Sequence, residues 1–466
     1  MKKKIIILIS IILVLTLLIT TLIIINSKNG SSKGNSTITK KNNTEEIKVS
    51  DNYDYDFSNY EIVDVNLDEV SDSYKITKGA VYNFTGSLKG YIQISCDDYV
   101  KIVLNNVNIT NESGSSIYVE NSKGTYIELI GDNKLEDGSK YNTDDTNAVI
   151  YSKDDLILYG DGKLDISANY NDAIASNDDL VIKSGTYNIE SIDDGINGKD
   201  STIIYDGVFN INSGGDSIKT TNDQDTSKGN IIIKNGNFTL NSKNGDAIDS
   251  INQIEIDDGN FTIKTLSTSS DNSTKGIKAD NNIIIKNITL SIDSIDDAIH
   301  SNKDITIESG DITINTNDDG IHADGKIIIN DGNYNITASE GIEATYVLIN
   351  GGVINISAKD DGINAGAKST LYDVTIEING GDITIKMGQG DTDAIDSNGN
   401  IYINGGVIDI TATSSFDYDK EAKYTNGTII VNGTTTNEIT NQMMGGGPRG
   451  NMQNQNGITG GDFRRR

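Results

Sequence analysis

The chain has 466 residues, with 68 Asp and Glu against 38 Lys and Arg, for a formal net charge of -30. That balance excludes the basic footprint that nucleic-acid binding needs, and the length exceeds what one compact core of ordinary type holds. A single proline, no tryptophan and 47 glycines favour strands and turns over helices.

Met1-Lys2-Lys3-Lys4 precedes an apolar run from Ile5 to Ile25, long enough, if helical, to cross a hydrocarbon core of ~30 Å. No small-residue cleavage site and no lipobox cysteine follows. The expectation for residues 1–26 is therefore an uncleaved signal anchor, with a cleaved signal peptide as the alternative. The lysines stay inside, which places the rest of the chain outside the cell, on the surface or secreted. Residues 27–52 are polar and aperiodic and read as a linker. Residues 434–466 are rich in Gly and Asn, end in three arginines and read as a disordered tail. The lone cysteine, Cys96, follows an alternating apolar run and reads as a buried filler.

Residues 53–433 form one repetitive domain. The unit Asp-Asp-Gly/Ala-Ile recurs at Asp193–Ile196, Asp296–Ile299, Asp318–Ile321 and Asp360–Ile363. With the apolar residue as anchor, the series runs Ile117, Val149, Ile174, Ile196, Ile218, Ile248, Ile277, Ile299, Ile321, Ile342, Ile363, Ile395. Its basic step is about 22 residues, as expected of a solenoid repeat, and longer steps contain loop inserts. Each unit carries two more short strands: an Ile-x-Ile run such as Ile231-Ile232-Ile233, and a run after glycine such as Gly236-Asn237-Phe238-Thr239-Leu240. Three short strands per unit, each alternating in polarity, are incompatible with βα units. They predict an all-β fold, a right-handed parallel β-helix of about twelve coils, each burying its anchor against the coils above and below.

The residue two before each anchor, from the third anchor on, reads Asp172, Asp194, Asp216, Asp246, Lys275, Asp297, Asp319, Glu340, Asp361, Asp393. In a solenoid these stand ~4.8 Å apart, where bare carboxylates repel by about 3 kcal/mol per pair at an effective dielectric of 20. Calcium is the expected compensator. Its oxygen ligands lie at about 2.3–2.6 Å, so oxygens on opposite sides of one ion are one coil step apart. The preceding acids Asp193, Asp296, Asp318 and Asp360 are expected to add oxygens. The competing reading is a ladder held by Asn and Ser hydrogen bonds or splayed into water. Lys219, Lys275 and Lys278 interrupt the acidic columns, as internal counter-ions or as contacts to a uronate carboxylate. His300 and His322, the two histidines of the chain, share one column as a polar stack and candidate substrate contact.

Tyr74–Leu88, Val103–Thr110, Ser116–Val119, the Asp-Asp-Gly-Ile units and Phe416-Asp417-Tyr418-Asp419 together resemble the secreted clostridial carbohydrate-binding β-helix family, which is related in fold to pectate lyases. The resemblance covers residues 74–433. It implies binding of cellulose and polygalacturonate, with calcium in the acidic loops.

A pectate lyase needs a Lys or Arg base beside calcium. All four arginines lie at 449 and beyond, which leaves Lys219, Lys275 and Lys278. Gly-His-Gly and Arg-x-Lys signatures are absent. The expected function is calcium-dependent polysaccharide binding without catalysis; a lyase and a structural surface adhesin are the alternatives. Tyr141, Tyr170, Tyr418 and Tyr424 are the expected sugar platforms.

Overall fold

The computed structural model describes residues 47, 53–143, 145–266, 274–389 and 392–442. The apolar run Ile5–Ile25, the linker apart from Ile47, and the tail from Met443 lie outside the described residues. Among the described residues no helix is long and apolar enough to cross a membrane.

The fold is a parallel β-helix of about 16 turns, all-β except for one short 3-10 turn at Leu67–Glu69. Each turn contributes to three stacked parallel sheets. In the anchor sheet the column Ile174, Ile196, Ile218, Ile248, Ile277, Ile299, Ile321, Ile342, Ile363, Ile395 is in register throughout. All of these side chains are fully buried. The middle sheet holds the Ile-x-Ile runs, and the third sheet the strands after glycine.

Two expectations are corrected. The anchor before Ile174 is Ile150, which pairs with both Ile117 and Ile174, and not Val149. Ala148, Val149 and Ile150 are buried in succession, so hydrophobicity alone left the phase ambiguous by one residue. The turn count exceeds twelve because the column extends to Tyr74 and Ile92 below and to Phe416 above. The lower coils use long strands, Val81–Lys89 and Tyr99–Asn111, that lack the Asp-Asp-Gly-Ile signature.

Inside the third sheet, Tyr187, Phe209, Phe238 and Phe261 stack face to face at 5.1, 4.8 and 4.4 Å between ring centroids. Offset rings in this range gain about 0.5–1.5 kcal/mol per pair beyond area burial. Gly236 makes room for them. Its φ is 143°, and a Cβ there would stand 2.7 Å from Cε2 of Phe238.

The outer face of the middle sheet is also apolar over several coils. Tyr126, Ile157, Val181, Ile203 and Ile232 are in register and form a second buried cluster with Tyr53. Ile47 and residues 53–60 cover it as a strap. The N–H of Ile47 donates to Glu255 Oε2 at 3.1 Å, and Tyr53 Oη donates to Asp179 at 2.6 Å. Tyr55 stacks on Tyr99 at 3.9 Å, and Tyr60 Oη donates to Asp98 at 3.1 Å. The end of the expected linker thus packs on the helix at Ile47.

At the other end, Thr434–Thr436 pairs antiparallel with Thr428–Val431. The N–H of Gln442 donates to Phe416 O at 2.9 Å. Residues 434–442, assigned to the tail from sequence, instead close the last coil.

Candidate functional site

The acidic column stands as a ladder at one corner of the helix, and it is part of the backbone's hydrogen bonding. Oδ1 of Asp172 accepts the N–H of Asp194 at 3.2 Å, Asp194 that of Asp216 at 2.8 Å, and Asp216 that of Asp246 at 2.6 Å. Asp246 accepts from Lys275 at 2.6 Å, Asp297 from Asp319 at 3.2 Å, and Asp361 from Asp393 at 3.2 Å. Chains of parallel strands leave these corner N–H groups needing acceptors. An aspartate is short enough to reach one coil up, which accounts for the residue type.

From Asp194 to Asp319 the second oxygen of the ladder carboxylates meets a lysine or histidine just after an anchor, or Lys275, whereas that of Asp172 accepts from Asn147 at 3.0 Å. Lys219 Nζ lies 2.6 Å from Asp216 and 3.6 Å from Asp194. Lys278 lies 3.0 Å from Asp249 and 3.6 Å from Asp246. Lys275, itself in the ladder, reaches Asp296 at 2.8 Å and Asp297 at 2.9 Å. These three lysines are therefore internal counter-ions. Burial alone would lower the pKa of each, but their carboxylate partners outweigh it and the net shift is upward. His300 Nδ1 lies 2.7 Å from Asp297, and His322 Nδ1 lies 2.8 Å from Asp319.

Counter-ions do not reach every rung. Burial, then Asp194, pushes Asp172 up to about 8. Burial, then Asp216, pushes Asp194 up to about 7 in spite of Lys219. Asp246 rises to about 7 through burial and Asp249. Near the top, burial lifts Glu340 to about 8 and Asp361 to about 6, with further contributions from nearby carboxylates. Asp396 rises to about 7 by burial and by Asp361, Asp417, Asp393 and Asp419. Oδ1 of Asp417 is buried there without a hydrogen-bond partner.

The expected metal ligands are therefore divided. Asp193 joins Asp172 and Asp194 in an all-oxygen cluster, and Asp318 joins Asp296 and Asp297, with ligand atoms within 4.8 Å of one another. Asp216 and Asp246 cluster with Asp249, and Asp319 with His322 and Glu343. Glu340, Asp360, Asp361 and Asp393 stand in none of the described clusters, and of these Asp360 is exposed. Asp396 and Asp417, not among the expected ligands, add two more carboxylates at this corner, and the column after the anchor, Glu343, Asn364, Asp396, Asp417, carried the signal.

Of the four tyrosines expected to meet sugar, Tyr170 is exposed and the other three are not. Tyr141 is buried, donates to Asp137 at 2.7 Å and stacks under Tyr170 at 4.3 Å. Tyr418 and Tyr424 pack against the core. On the outer face of the anchor sheet, Tyr118 and Tyr151 are in register on neighbouring coils, 6.2 Å apart. A recess of about 290 Å³ lies beside Tyr151, Asn177, Asn197 and Lys199. A second, of about 280 Å³, lies beside Tyr91, Gln93 and Tyr118. Asp145 and Thr146 line both. Aromatic faces flanked by amide and ammonium donors suit a hydroxyl-rich ring.

A family described as carbohydrate-binding domain-containing protein matches residues 71–320 and 315–461. A carbohydrate-binding domain-containing protein of Acetivibrio thermocellus is 37% identical over 220 residues, which cover 44% of this chain and 77% of that protein. A solved polysaccharide lyase-like protein from C. thermocellum, studied as a gadolinium derivative, is 31% identical, covers 46% of this chain and 94% of its own, and superposes with a TM-score of 0.42. The family match takes in the ladder and the tyrosine recesses alike, and the chain belongs to the carbohydrate-binding domain-containing family.

Proposed function

We propose that this protein binds plant cell-wall polysaccharide, polygalacturonate and/or cellulose, through calcium held at its all-oxygen carboxylate clusters, and that it does so outside the cell without cutting the polymer. The observation that carries the reading is the lysine-free top of the ladder. Asp361 and Asp396 are raised by burial and by the carboxylates around them, and Asp417 Oδ1 is buried and unpaired. Such a set lacks positive charge and offers hard oxygen donors, which fits calcium. A bound calcium with open positions bridges to a uronate carboxylate, and the coil step of ~4.8 Å repeats the contact along an extended polymer.

Cleavage by elimination needs a neutral lysine at the C5 proton. Lys219, Lys275 and Lys278 are instead raised by their carboxylates, the wrong direction for a base. Lys326 is lowered by burial, but it belongs to the middle sheet, over the Tyr372 ring.

The test is retention of the full chain on immobilised polygalacturonate and on cellulose, with calcium and with chelator, together with absorbance of unsaturated uronate from pH 7 to 10. Calcium-dependent retention with no absorbance change supports the reading. No retention on either polymer overturns binding, and turnover abolished by Lys275→Ala or Lys278→Ala overturns its non-catalytic part.

A further inference from the structure

We infer that the histidine pair is a seat for a divalent d-block cation such as zinc, with imidazole nitrogen as well as carboxylate oxygen in its shell. It differs in kind from the all-oxygen clusters proposed for calcium and does not depend on them. His300 and His322 stand in register on adjacent coils, with ring centroids 4.8 Å apart. Their Nδ1 atoms face one carboxylate: Asp297 Oδ2 lies 2.7 Å from His300 Nδ1 and 3.7 Å from His322 Nδ1. His322 Nδ1 is also 2.8 Å from Asp319 Oδ2 and 3.4 Å from Glu343 Oε2. A single N–H serves one acceptor well, yet three carboxylates from three successive coils surround this nitrogen. Asp297, His300 and His322 form one triad with donor atoms within 4.8 Å of one another; Asp319, His322 and Glu343 form another. His322 belongs to both. Ligands around a tetrahedral ion with bonds of about 2.0–2.2 Å stand roughly 3.4 Å apart, so the two hydrogen-bonded contacts open by several tenths of an ångström as an ion replaces the protons.

The far sides of the rings point the same way. His300 Nε2 lies 2.9 Å from Asn302 Oδ1, and the amide nitrogen of Asn302 donates to Asp280 at 3.1 Å. Asn302 therefore offers its oxygen to Nε2–H, and the contact of Nδ1 with Asp297 at 2.7 Å is a hydrogen bond whose proton an arriving ion displaces, which leaves the ring protonated on Nε2 alone. That is the tautomer a metal-ligating histidine takes when its other N–H is held by an outer partner. His322 Nε2 is buried without a hydrogen-bond partner and lies 3.8 Å from Asp324 Oδ1, so its far nitrogen also faces a carboxylate. Lys275 and Lys368 currently neutralise Asp297 and Glu343, at 2.9 and 2.8 Å. Both are long, flexible side chains that swing aside when an ion arrives. Imidazole donors select zinc, nickel, cobalt or copper over the hard cations calcium and magnesium.

The test uses the full chain stripped with chelator. Zinc is titrated calorimetrically with excess calcium present, and cobalt(II) is added as a spectroscopic probe. The expected results are a single zinc per chain that calcium does not displace, and a cobalt visible spectrum changed from that of the aquo ion by nitrogen ligation. His322→Gln and His300→Gln should each lose at least about tenfold in zinc affinity, and Asn302→Leu, which removes only the outer partner, roughly tenfold. Calcium-induced stabilisation should survive in all three, which separates this inference from the calcium reading. Absence of zinc binding overturns it. So does equal zinc affinity in the His300→Gln/His322→Gln double variant; should that variant not fold, unchanged affinity in Asn302→Leu overturns it instead.

Discussion

The backbone N–H of Asp246 donates to Oδ1 of Asp216 at 2.6 Å, while Lys219 holds the other oxygen of Asp216 at the same distance. One buried carboxylate thus completes the next coil's backbone and neutralises a lysine. Asp216→Ala leaves both partners unserved and should cost about 3 kcal/mol. Asp216→Asn keeps an acceptor for the N–H and should cost clearly less. Urea unfolding of the two variants checks the order; equal losses would mean that the charge alone matters.

The pH dependence has a definite sign. Asp172, Glu340 and Asp396 are raised to about 8, 8 and 7, with burial the largest cause, whereas unfolded carboxylates titrate near ~4. Between those limits the folded chain holds protons that the unfolded chain releases, so stability falls as pH rises through the folded values. Without divalent cations the melting temperature should therefore be higher at pH 5 than at pH 8.5, and calcium should narrow the gap. Asp297 acts in the opposite sense. Burial tends to raise it, but His300, Lys275 and His322 hold it below the usual range, so its contribution is lost only in strong acid. A flat profile in chelator would show that the raised carboxylates are neutralised by other means.

Calcium itself should act most at the top of the ladder. Ions that bind only the folded state raise its melting temperature by mass action. Asp396→Asn with Asp417→Asn should remove most of that rise, as should Asp319→Ala with Asp361→Ala. Asp360→Asn, at an exposed position, should leave it intact. Differential scanning calorimetry with and without calcium reads all three.

Much of this was legible in the sequence. The apolar anchors repeat because every coil must bury one at the same place, and Ile196 through Ile395 fell into register as expected. The ladder was visible for the same reason. The role of its first oxygen was not: whether an aspartate turns toward a backbone N–H or toward an ion depends on corner geometry, which spacing does not encode. Tyr118 and Tyr151 were overlooked because the lower coils lack the Asp-Asp-Gly-Ile signature that set the phase elsewhere. Tyr141, expected to meet sugar, is instead captured by Asp137 across a loop.

The aromatic stack offers a test of the core. Phe238→Ala opens a gap between Phe209 and Phe261 and should cost about 3–5 kcal/mol. Phe238→Leu fills most of the volume and should cost under about 1.5 kcal/mol. Denaturant midpoints decide it; a small loss for alanine would mean that neighbouring rings close the gap.

In a solenoid each repeat touches only its neighbours, so unfolding tends to run along the array piecemeal. The strap alters that rule for part of this molecule. It ties the coil of Glu255 to those of Asp179 and Asp98, contacts that skip over intervening coils. The strapped coils should open as one cooperative block, with amide exchange slow and uniform from Asp98 to Glu255, and the coils near Phe416 should exchange sooner and one by one. Deleting the chain up to Tyr60 should break that block into graded opening and expose Ile157, Val181, Ile203 and Ile232 to hydrophobic dyes. The outer stripe of this rigid repeat array thereby makes its lower coils stand or fall together.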